Sequence, residues 1–332
     1  MNKYIFSFLI FFVLPIGIFG QSANLPKKPK HLRVSEAYGY LIGQEQTLSI
    51  IKKKFPEFEL SVLKVQMDFN STFGNSKEEM ELYLTNYLGQ NEFKEYEVKL
   101  IIELKKMQHN QVFTKDLATN FIEEVQNRAN GDLPSPILET LLSFQYLDSP
   151  QDELLFGFTK TFKTKGHPKC KNTDWQIKIP KSWKSEEADR PNIIQKFISD
   201  YGSGYHSIML VVKDNPLPKG YKVSKEELNE FFNEKEMKSI VPVEAKFISF
   251  TKMTIDNNIG GMIQYEQKVD RLDYIIKIRT LLFMFIRGNK SYFLQCSVAS
   301  EKTDADLSLV MKKYLPLFKL VANTIVVNEQ YK

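Results

Sequence analysis

From Ser35 to about Tyr146 the apolar residues recur at intervals of three and four; after Cys170 they alternate with polar ones. The first period belongs to helices that bury a stripe, the second to strands that bury a face. Breakers divide the helical stretch. Tyr38, Leu41, Ile42, Leu48 and Ile51 mark a first helix, stopped at Phe55-Pro56, and Phe58, Val62, Met67, Phe69 and Phe73 a second, closed by Gly74. Ser76-Lys77-Glu78-Glu79 has the form of a capping box, opening a third helix through Leu82, Leu84 and Leu88 to Gly89. Val98, Ile101, Leu104 and Met107 share a face of a fourth. Thr114 starts a fifth that Asn130-Gly131 closes, and Ile137, Leu138, Leu141 and Leu142 supply a last short one. Short helices with short connections predict an α-helical bundle over residues 35–146.

Residues 147–169, punctuated by Pro150, Gly166 and Pro168, are expected to be a linker. Beyond them Trp175, Ile177 and Ile179 face one way, and Pro180, which has no N–H to donate, should stop the ladder. Strands are predicted at 192–199, 207–213, 247–255, 262–269, 274–286, 292–299 and 324–327. Leu281 to Phe285 is apolar on both faces, as in a strand covered on both sides. Gly288-Asn289 is a two-residue hairpin signal, and Gly260-Gly261 suggests a bulge or sharp bend. Ser224 to Glu227 is a second capping box, ahead of Leu228, Phe231, Phe232 and Met237. A cap at Thr303 to Asp306 opens a helix through Leu307, Met311 and Tyr314, kinked or broken at Pro316. The pattern is therefore α+β: an N-terminal α-helical bundle, then an antiparallel-sheet α/β/α sandwich over residues 170–328.

The segments WQIKIPKSW, RPNIIQKFISDYGSG, SIMLVVKD, IGGMIQYEQ, RGNKSYFLQCSVAS and LPLFKLVANTIVV resemble, in that order, the PsbP-like family. The resemblance spans Cys170 to Asn328 and rests on strands, prolines and glycines. It implies a sandwich that serves as a binding or assembly module. It brings no catalytic residue, cofactor or metal ligand to carry over.

At the N-terminus, Met1-Asn2-Lys3 precedes the apolar run Tyr4 to Phe19, and Gly20-Gln21-Ser22-Ala23 offers small residues for cleavage. This is the layout of a signal peptide over residues 1–20, cleaved near Gly20. As a helix the apolar run would reach roughly 24 Å, short of the ~30 Å membrane core, and Pro15 interrupts it. Residues 21–34, with prolines and lysines but no period, are expected to be a flexible basic arm. Export to the periplasm or the external medium would let Cys170 and Cys296 pair as a disulfide if their strands are neighbours. The alternative is two thiols, one buried. The formal net charge of +5 is mild for 332 residues and does not suit a nucleic-acid binder.

Candidate chemistry is sparse. His167-Pro168-Lys169-Cys170 has a loose metal spacing, but no second ligand pair stands near it. Tyr201-Gly202-Ser203-Gly204-Tyr205-His206 brings Asp200, a serine and a histidine into one turn, yet a nucleophile elbow needs glycine where Tyr201 stands. The turn is read as a hairpin. Trp175 belongs to the core, whereas Trp183, in a lysine-rich loop, either packs on the sheet or stands out as an anchor. Trp183, Tyr201, Tyr205 and His206 are thus the candidate partner-binding residues. The expected function is a secreted or periplasmic, non-catalytic module acting on an envelope or secreted protein. Two alternatives stay open. One is a carrier of a small hydrophobic ligand between the domains; the other is a hydrolase whose site is assembled from distant residues, with a histidine in a cleft.

Overall fold

Apolar spacing becomes structure as two units joined side by side. The computed structural model describes residues 28–109, 113–215, 221, 223–271, 274–302 and 304–331. The expected signal peptide at 1–20, residues 21–27 of the expected arm and Thr303 lie outside these. The helical unit comprises α1 (Lys30–Lys54), α2 (Glu59–Leu88), α3 (Gln90–His109), α4 (Lys115–Ala129) and α5 (Ile137–Gln145). Its core holds Tyr38, Leu48 and Ile51 of α1 against Phe69, Phe73 and Met80 of α2 and Leu141 and Leu142 of α5. No described helix is long and apolar enough to cross a membrane.

Three boundaries differ from the sequence expectation. α1 begins at Lys30, inside the expected arm, because Arg33 and Val34 are buried and draw the chain into the helix. The second and third expected helices are one, bent at Phe73, where φ is −127° and ψ is 15°. Ser76 does not cap. It is buried within α2, and its hydroxyl donates to the Leu141 carbonyl at 3.0 Å, so packing against α5 overrides the capping signal. Residues 147–169 are not a linker either: they form α6 (Pro150–Leu155) and strand β1 (Thr159–Lys163).

β1 pairs antiparallel with β2 (Trp175–Pro180), which also pairs with β10 (Val326–Val327), giving a small three-stranded sheet. The main sheet has seven strands in the order β3-β4-β5-β9-β8-β7-β6, every neighbouring pair antiparallel. Its strands are β3 (Lys184–Glu186), β4 (Ile193–Ile198), β5 (Ser207–Asp214), β6 (Lys246–Ile255), β7 (Asn258–Arg271), β8 (Tyr274–Arg287) and β9 (Lys290–Ser300). Between β4 and β5 lies the single turn α7 (Ser199–Gly202).

One face of the main sheet buries Leu281, Phe283, Phe285 and Leu294 against β2 and α10 (Leu307–Asn323). The other buries Leu282, Met284 and Ile263 under Phe232 and Met237, which α8 (Lys225–Phe231) and α9 (Glu234–Ile240) bring there. Both faces of β8 are covered, as its unbroken apolar run requires. The Ser224–Glu227 capping box is present at α8. α10 runs on through Pro316, held by Leu317, Phe318 and Val321 in the core.

Cys170 and Cys296 are separate thiols, both buried, so the disulfide is not formed. Cys296 lies mid-sheet between Ile208 and Leu281, where burial pushes its thiol up. Cys170 instead sits in a turn, its carbonyl accepting from the Thr173 amide.

Gly260 and Gly261 make no bulge; they lie in continuous β7, and the register shift falls in β6 between Phe247 and Ser249. Their role is space. A Cβ on Gly260 would sit 2.3 Å from the Met284 carbonyl oxygen, and one on Gly261 2.4 Å from the Phe250 ring. Gly260→Ala should therefore lower unfolding free energy by about 1–3 kcal/mol in a denaturant titration; an unchanged midpoint would show that β8 moves aside without cost.

Candidate functional site at the junction of the two units

Asp200 and Tyr201 follow β4 with φ/ψ of 51°/43° and 49°/41°, successive left-handed conformations in residues with a Cβ. Such backbone costs of the order of 1 kcal/mol or more per residue and persists where surroundings fix it. Here the fixing group is Arg33 of α1, only 6% exposed. Its guanidinium donates to the carbonyls of Asp200 (2.9 Å) and Tyr201 (3.2 Å) and to Ser203 Oγ (2.8 Å). Lys30, one helical turn earlier, meets the Asp200 carboxylate at 2.8 Å. Burial lowers the Arg33 pKa, opposed chiefly by the charge of Asp200.

Tyr201 is held at its amide, its hydroxyl and its ring. Its amide donates to the Ser182 carbonyl at 2.8 Å, its hydroxyl shares a hydrogen bond with Ser135, and its ring meets both the Arg33 guanidinium and the Lys184 ammonium. Gly204 completes the turn, with room for no Cβ: the position is 2.0 Å from Ser199 Oγ.

Below the turn lies a second, drier layer. Glu153 of α6 is 3% exposed and accepts from the Ser182 amide (2.7 Å) and hydroxyl (2.6 Å). Burial pushes its carboxyl up to about 7, opposed by the two Ser182 hydrogen bonds and the nearby Lys160 charge. Lys160 itself donates to the Trp183 carbonyl. Trp183 is buried edge-on against Tyr314 and Phe318 of α10. His206 packs on Tyr314 with centroids 4.5 Å apart, and its Nδ1 accepts from the Ala299 amide at 3.4 Å. Burial draws its pKa down to about 4, with Asp200 opposing and Lys313 reinforcing.

The four predicted partner-binding residues are thus gathered at one place but not with one role. Trp183 is no surface anchor, because its ring fills the gap between α10 and the sheet. Tyr201 joins the two units, and His206 is a packed neutral imidazole. Tyr205, 52% exposed, presents its ring to the surface. Sequence reasoning missed Arg33 and Glu153, which stand in segments read as arm and linker. The one available signal for Arg33 was its place beside Val34 and Ala37 on a helical stripe.

No serine and carboxylate converge on a histidine in a cleft among the described residues. His31 stacks on Tyr87, and His167 accepts from the Lys169 amide near Glu187; the His109 side chain lies outside the described residues. Ser199 Oγ accepts from the backbone of His206, away from the ring. Nor does this junction suit a hydrophobic ligand. The cavity lined by Lys30, Arg33, Thr140, Phe144 and Asp200 is about 10 Å³, room for one water at most.

No family model matches the chain, and no curated protein does. Solved structures similar to it include cyanobacterial PsbP (CyanoP) from Synechocystis sp. PCC 6803. That match has 12% identity and a TM-score of 0.31 over 51% of this chain and 92% of that one. The Ran-binding protein Mog1p of Saccharomyces cerevisiae matches at 10% identity and 0.30, over 51% and 95%. LpqN of Mycobacterium tuberculosis, involved in cell envelope biogenesis, matches at 10% and 0.30, over 54% and 96%. PsbP is also the family that the order of strands, prolines and glycines resembles.

The two buried titrating groups act in opposite directions. Glu153, raised from 4.5, contributes stability that is complete below about pH 4.5 and lost as pH rises through 7. His206, lowered from 6.5, contributes stability present above 6.5 and lost as pH falls through 4. Each is worth about 3 kcal/mol across its window. Relative to wild type, Glu153→Gln should gain stability between pH 4.5 and 7, and His206→Asn between 6.5 and 4. Urea titrations across this range would read both, and parallel pH profiles for variant and wild type would contradict the assignment.

Proposed function

We propose that this protein is an exported, non-catalytic binding or assembly module that engages a protein partner at the end of the sheet where the β4–β5 turn meets the helical unit. The observation that carries this reading is the turn itself. Its strained backbone is fixed by Arg33 and Lys30 from the other unit, so the Tyr205 ring is presented by a surface that has little ordering left to lose on binding. Tyrosine suits the task, with a large rigid ring and a polar tip. The helical unit then acts as a brace that sets the turn. Export rests on the basic start, apolar run and small-residue end of residues 1–20.

The test is a photoreactive side chain placed at Tyr205 and, for comparison, at the similarly exposed Leu82 of α2. Ultraviolet illumination in envelope extract should give a discrete protein adduct at 205 that an excess of unlabelled protein competes away. The same diffuse labelling at both positions would contradict a partner surface at the turn.

A further inference from the structure

The main sheet does not end flush. β6 starts at Lys246, opposite Glu266 of β7, while β7 continues from Gln267 to Arg271 paired with β8 on its other side. In an antiparallel ladder alternate residues bond to one neighbour, and those between direct their N–H and C=O the opposite way. Along this overhang the second set points to the place where β6 would have continued. The chain instead turns away there through Pro242 to Ala245, a turn closed by the Ala245 amide on the Pro242 carbonyl at 2.9 Å. Between that turn and β7 lies an open groove of about 550 Å³, lined by Pro242, Val243, Glu244, Gln267, Lys268 and Val269. Val243 is fully exposed at its rim.

Other edges are blunted. β3 and β10 are short, β1 carries Lys160 and Lys163, and β6 carries Lys246, Lys252 and a register shift, features that discourage pairing with another chain. The overhang pairs an open backbone edge with an apolar rim.

We propose that this notch binds an extended peptide, which adds a short strand to β7 and seats an apolar side chain on Val243. The chemistry selects that occupant. Alternating outward N–H and C=O groups are matched by the backbone of an extended strand. Glu244 and Lys268 place opposite charges on the same groove, which suits neither a nucleic acid nor an anionic membrane. Phe247, Tyr265, Thr280, Ser297 and Ser207 form one row across the sheet, so the notch stands at the same end as the β4–β5 turn. The proposal does not depend on the turn's role.

The probe is an acetylated peptide alternating valine and threonine with a lysine tail, added to the chain from Gln21. Saturable binding is expected, with slowed exchange of alternate amides between Gln267 and Arg271. Val243→Asp, at a fully exposed site, should weaken binding roughly tenfold or more, and so should N-methylation of alternate peptide amides. Tyr205→Ala should leave it unchanged, which separates this site from the turn. No saturable binding at millimolar peptide, or equal binding by the N-methylated form, would overturn the proposal.

Discussion

A guanidinium taken out of water needs partners for its donors and a counter-charge; here Nη1, Nη2 and the charge are answered from the other unit, while Nε finds no hydrogen-bond partner among the described residues. Arg33 belongs to the helical unit, while its acceptors Asp200, Tyr201 and Ser203 belong to the sheet unit. Separating the units would break these three hydrogen bonds together. It would also release the two left-handed residues from the contacts that hold them. The boundary is therefore a structural element in its own right. α6 and β1, which connect the units in sequence, continue the join by placing Glu153 on Ser182 and pairing Phe162 with Ile177.

From this constraint the arrangement of the site follows. With the turn pinned from above by Arg33 and Lys30, Ser182 is pinned from below by Glu153. Trp183 then fills the space against α10, and His206 closes the layer on Tyr314. Chemistry suggested by residue type is used up by packing: the histidine is neutral, the serine hydroxyls are committed, and the tryptophan is covered. At this end of the sheet Tyr205 is exposed and β7 extends past the start of β6.

Much of the fold was legible because local signals and global packing agreed. The alternation at Trp175 to Ile179, the two-sided apolar run of β8, the Gly288-Asn289 hairpin and the Ser224 capping box each report a short-range requirement. Ser76 misled because its capping signal is local, whereas its hydroxyl is satisfied by Leu141, distant in sequence. Gly260 and Gly261 misled for a similar reason, since their small size answers Met284 and Phe250 rather than a bend. The site was half legible. Its tyrosines and histidine could be picked out in one turn, but Arg33 and Glu153 act through contacts more than a hundred residues and about thirty residues away, respectively. No local pattern records such partners.

Arg33 sets the turn, and amide exchange reads whether it does. Arg33→Met keeps the apolar stem and removes the donors and charge. Exchange at Ser203 and Gly204 should accelerate roughly tenfold or more, corresponding to about 1.4 kcal/mol, while the β8–β9 ladder stays as protected as in wild type. Unchanged protection at Ser203 and Gly204 in a folded Arg33→Met protein would show that the turn holds its shape without the Arg33 guanidinium, contrary to the role given to it here.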